Sequence, residues 1–161
     1  MSAEAILESW ATNQRIHEML IDDISSEGMR CTLSTRGGRN VVRQFAHIHN
    51  VRIYHLERRA KKLLGDLEKY ETKAEPDKRA LKKSLRDSAA AIATFFEDCL
   101  DGKPKRRGFK RGVIQHLSYF IAHESHHRGI ILLTLKQCGH PVDKDLRMGI
   151  WDWDRLGTSD V

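Results

Sequence analysis

Only three prolines interrupt 161 residues, and no run alternates apolar and polar side chains for long. A chain patterned this way folds as long helices, because strands need period-two alternation and prolines break helix interiors. Pro76, Pro104 and Pro141 each read as punctuation near a helix end.

Ile6, Leu7, Trp10, Ile16, Met19, Leu20 and Ile24 recur at helical spacing, so a first helix is expected over Ala3 to Ile24. Ser2 is its candidate cap, with Glu4 in the first turn. Ser25 to Gly38 holds three glycines and no period, and reads as a loop. It is long for a tight hairpin, as a functional or crossover loop would be. Asn40 can cap a second helix reaching Leu64, followed by a polar connector from Gly65 to Pro76. Asp77 can cap a third helix over Lys78 to Leu100. The fourth is expected from Arg111 to Cys138, closed by a left-handed Gly139 before Pro141. A short helix over Leu146 to Leu156 and a frayed end complete the chain. Four helices of about 22 to 28 residues imply an all-α fold, an antiparallel four-helix bundle with a short C-terminal helix, as one domain over residues 1–161.

Composition narrows the function. A chain 40% hydrophobic and 31% charged is typical of soluble globular proteins. No apolar run reaches the roughly 18 residues of a membrane span. MSAEAILESW is not patterned as a signal peptide, so a cytoplasmic protein is expected. Cys31, Cys99 and Cys138 form no CxxC pair and read as isolated reduced thiols. The net charge is +6, with one dense basic run from Lys103 to Arg111. That run has only Phe109 among its charges and matches no recognition motif, so it reads as a solvated loop and nucleic-acid binding is disfavoured.

Chemistry concentrates in His116 to Gly129 (HLSYFIAHESHHRG), which holds four of the nine histidines. His123 and His127 are four apart, one above the other on a helix face, where one divalent ion can bind both imidazoles. A catalytic site needs a third protein ligand, here from another helix. His47 and His49 are the first candidates, with His116, His126 and His140 behind them. The periodicity leaves the choice open: an inner face of Val42, Ala46, Ile53 and Leu56 turns His49 inward, whereas Val41, Phe45 and Ile48 favour neither.

His123 to His127 also spells HExxH, in which Glu124 would act as general base of a zinc protease. The extended form of that motif fails at Ile130 and Leu133, and no glutamate follows Glu124 to act as third ligand.

NVVRQFAHIHNVRIYHL (residues 40–56) and AHESHHRG (residues 122–129) resemble the DinB/YfiT-like family of metal-binding four-helix bundles, and the likeness extends over most of the chain. It implies His47, His123 and His127 as metal ligands, with His49 in reserve. Arg128 and Gly129 match the motif without touching metal, Arg128 to pair with a carboxylate and Gly129 to allow close packing. The expected cofactor is a divalent ion (zinc, nickel or iron). The resemblance further implies a small-molecule substrate, with a low-molecular-weight thiol activated by the metal, in a thiol S-transferase or related hydrolase. The alternative is a non-catalytic metal-binding stress-response module. Tyr119, Glu124 and His126 are candidates for proton transfer or ligand support. The family also implies a homodimer. Trp10, Trp151 and Trp153 are candidates for its contact, against burial in the core.

Overall fold

The computed structural model describes residues 2–103 and 108–157. Seven α-helices are seen among them: α1 Ala3–Asp23, α2 Ser26–Arg30, α3 Val41–Arg59, α4 Lys78–Leu100, α5 Val113–Gln137, α6 Lys144–Gly149 and α7 Trp153–Gly157. No strand occurs among the described residues, only an isolated bridge between Phe109 and Gly112. The protein is an all-α helical bundle.

The caps read from the sequence are in place. Ser2 Oγ accepts from Ala5 N at 3.2 Å, Asn40 Oδ1 from Arg43 N at 3.1 Å, and Asp77 Oδ1 from Ala80 N at 2.7 Å. Each oxygen satisfies an amide that has no partner within its helix. Gly139 closes α5 with φ +79°, a conformation costly for any residue with a Cβ.

Three boundaries differ from expectation. The first loop contains α2, whose cap Ser25 accepts from Gly28 N at 3.0 Å and which buries Met29 against the core. Five residues are too few for hydrophobic periodicity to register. The second helix stops at Arg59, and a 3₁₀ turn over Lys61–Leu63 takes its place. The tail forms two short helices rather than one, with a turn at Trp151 between them. The frayed end and the middle of the basic run lie outside the described residues.

Pairings between helices set their directions. In α1 and α4, Asp22 meets Lys82, Glu18 meets Arg86 and Trp10 meets Ala89, so the two are antiparallel. In α3 and α5, Gln44 meets His127 and His55 meets His116, again antiparallel. In α3 and α4, Asn40 lies near the start of α4 while His49 and Arg52 reach Ser84 and Leu85, so these two run parallel. The connector between them must therefore return along the bundle. Reciprocal bonds between Asn50 and the Tyr70 backbone, both 2.8 Å, pin it to α3. The crossover is thus the connector after α3, not the first loop.

The interior is layered. Leu20, Phe45, Ile48, Leu81, Leu85, Ile131 and Leu135 form one apolar cluster. Trp10, Leu56, Ile92, Phe95, Phe96 and Phe120 form the other. Trp10 is 2% exposed and donates through Nε1 to Ala89 O at 2.9 Å, so it belongs to the core and is no surface contact. Between the clusters, at Asn13, His17, Arg52, Glu124 and Arg128, the interior turns polar.

Candidate metal centre

His47 projects from α3 toward α5, where His123 and His127 share a face one turn apart. Ring centroids are 5.4 Å apart for His47 and His123, 4.7 Å for His47 and His127, and 4.6 Å for His123 and His127. One nitrogen from each ring lies within 4.8 Å of the other two, so the triad can hold a metal ion. His127 is buried, and His47 and His123 are half-buried.

The other histidines face elsewhere. His49 is buried against α4 and the crossover, with Nδ1 3.0 Å from Ser84 O and Nε2 2.9 Å from Glu68 O. Its inward direction agrees with the periodicity, but inward at that position means away from α5. His116 pairs with His55 (Nε2 to Nδ1 2.9 Å) and is sandwiched between Phe109 and Phe120 at 4.3 and 5.0 Å. His126 is exposed beside His127, and His140 is exposed at the end of α5. Tyr119 stacks within 13° of parallel on His123, at 5.9 Å, and is the aromatic neighbour of the triad.

Donor chemistry suits a cation. Gln44 Oε1 accepts from His127 Nδ1–H at 2.8 Å, which leaves the His127 Nε2 lone pair facing the triad. That nitrogen is 3.2 Å from His123 Nε2. Burial first, and then the neighbouring charges of Arg39 and His123, lowers His47 to about 4. Burial, followed by His123 and His47, lowers His127 to about 3. Burial also lowers His123. All three rings are therefore neutral at pH 7, the form that binds metal.

Glu124 turns away from this triad. Arg52 grips both its oxygens (Nε to Oε1 2.7 Å, Nη2 to Oε2 2.8 Å), and Asn13 and His17 reach Oε2 at 2.6 and 2.8 Å. These partners hold the carboxyl well below its ordinary range despite complete burial. The HExxH reading fails here, since a carboxylate saturated by an arginine fork, an amide and an imidazole has no free oxygen for a proton-transfer role. Arg52 also donates to Gln14 Oε1 and Leu85 O and lies 4.7 Å over the Trp10 ring. Arg128 does not pair with a carboxylate directly: it donates to Asn13 Oδ1 at 2.7 Å and Ser125 Oγ at 2.6 Å. Nothing in the sequence singled out His17, Asn13 or Arg52. Their one visible mark is a polar side chain at each point where an apolar period lapses.

A model described as the DinB family matches residues 1–146. The chain belongs to the DinB family. No curated protein and no solved structure gives a significant match. DinB membership and a histidine triad able to hold a metal therefore rest on separate observations, a sequence match and a geometry. No helix among the described residues is long and apolar enough to cross a membrane.

The polar layer of this DinB chain makes its stability pH-dependent. Burial lowers His17 from 6.5 to about 4. In the unfolded chain its ordinary value returns, so on acidification the unfolded state takes up the proton first. The contribution of neutral His17 is whole above pH 6.5 and is lost as pH falls toward about 4. The loss is at most about 3 kcal/mol, a large share of a typical domain's stability. Urea midpoints of metal-free protein should fall across this window, and His17→Gln should make the slope shallower.

Proposed function

We propose that the chain is a divalent-metal protein of the cytoplasm, with zinc, nickel or iron held by His47, His123 and His127. We further propose that it acts on a small molecule as a thiol S-transferase or related hydrolase. The observation that carries this reading is the convergence of three neutral imidazole nitrogens at a half-buried seam between α3 and α5. Three neutral ligands leave the ion its full charge and open positions, and a bound ion would lower the pKa of a thiol or water beside it. Gln44 fixes the His127 tautomer, and Tyr119 forms an aromatic wall beside His123 on which a substrate could rest. The resemblance to metal-binding bundles also supports a homodimer, which sedimentation would reveal as twice the chain mass.

The test joins elemental analysis of protein purified without an affinity tag to turnover assays. About one metal per chain is expected, with metal-dependent conjugation of a small thiol to one of a panel of electrophiles, or hydrolysis of a small ester or amide. Metal binding with no turnover across the panel would overturn the enzyme reading in favour of a non-catalytic module. No metal at all would overturn both.

A further inference from the structure

Gly129 is two residues past His127, so on α5 it points about 200° away from the triad, toward α1. A Cβ built there would meet nothing within 4 Å, so this glycine does not serve close helix packing. It opens instead on a cavity of about 150 Å³ between α1, α5 and the tail, whose walls include Ile16, Leu132, Trp151 and Trp153. The turn and helix that carry the two tryptophans follow the part of the chain matched to the family.

Arg128 is the single charged residue lining this cavity among the described residues. It is 8% exposed. Its partners Asn13 and Ser125 are neutral, as is His17, which it meets at 3.2 Å. Glu124, the carboxylate of this polar layer, is gripped through both oxygens by Arg52. The layer thus holds two buried guanidinium groups and one carboxylate, which is paired with Arg52, and the excess positive charge belongs to the arginine that borders a void. A buried cation without its own counter-charge is costly, and a guanidinium fork matches a carboxylate in shape and charge. A void of this volume accepts a molecule the size of benzene.

We propose that the cavity is a binding site for a small monocarboxylate with a compact apolar body, the carboxylate against Arg128 and the body against Trp151 and Trp153. The site lies on the opposite side of α5 from the triad and stands independently of the metal reading. Its ligand carries one negative charge, because the layer has one positive charge in excess. Its body is apolar, because aliphatic and indole groups make the walls.

Benzoate is the probe, and benzyl alcohol its neutral counterpart of similar size. Titrated into the full chain, benzoate should change tryptophan fluorescence saturably, with heat measured by calorimetry at the same midpoint. Benzyl alcohol should bind at least about tenfold more weakly, since it carries no negative charge to set against Arg128. Arg128→Gln should remove the preference. In case that variant fails to fold, Gly129→Leu fills the cavity while leaving the cation, and should abolish benzoate binding with helicity and metal content unchanged. Absence of saturable benzoate binding would overturn the proposal. So would equal affinity for the two probes, or undiminished benzoate binding by a folded Gly129→Leu protein.

Discussion

Replacing His127 with alanine is expected to lower metal affinity by more than about 100-fold, measured by competition with a chromophoric chelator. The scale follows from ligand support: removing a hydrogen-bond partner of a ligand costs about 10- to 100-fold, and removing the ligand itself costs more. His127 is the most buried member of the triad, and both its neighbours in the triad lie within 5 Å by ring centroid. Gln44→Leu supplies the graded comparison. It leaves three nitrogens in place but removes the acceptor 2.8 Å from His127 Nδ1, so its loss should fall within that 10- to 100-fold range. His49→Ala should leave metal content unchanged, because both His49 nitrogens face carbonyl oxygens on the α4 side. Equal losses for His49→Ala and His127→Ala would refute the proposed ligand set.

Glu124→Gln is expected to destabilise the fold by about 3 to 5 kcal/mol, measured by urea unfolding of metal-free protein. The substitution keeps the shape of the side chain and removes its charge. Arg52, 0% exposed, then has no counter-ion, and Arg128 loses the negative charge closest to it in the layer. Removing one member of a buried pair costs far more than the intact pair contributes, because the remaining charge stays desolvated. The cluster's value lies in alignment: Glu124 joins α5 to α1 through Asn13 and His17 and to α3 through Arg52. That layer sets the rotation of α5, and hence the direction in which His123 and His127 point. A general-base role for Glu124 would give the opposite pattern, lost turnover with stability unchanged.

Much of the fold was legible residue by residue. Asp77 and Asn40 mark their helix starts because a side-chain oxygen must meet amides that the helix cannot. Gly139 marks the end of α5 because its positive φ suits a residue without a Cβ. Helix α2 escaped because five residues carry no period. The crossover was misplaced because loop length alone does not say which neighbours run parallel. Cys31 and Cys138, far apart in sequence, are close enough that the Cys138 thiol helps raise the Cys31 pKa after burial itself. Spacing along the chain could not show that proximity.

Local sequence determined the elements of this protein: helical period, caps and an HxxxH pair whose members must share a face. These depend on residues within a turn or two of each other, where chain geometry is nearly invariant. Tertiary structure decided which histidine of α3 meets that pair. His47 and His49 differ by about 200° around the helix, and both face a neighbour. Only the placement of α3 between α4 and α5 sends His47 to the triad and His49 to the crossover. The same holds for Glu124, whose partners come from α1 and α3, up to 111 residues away in the chain. Its neighbours within α5 gave no sign that it would be held by an arginine rather than by the chemistry its motif spells.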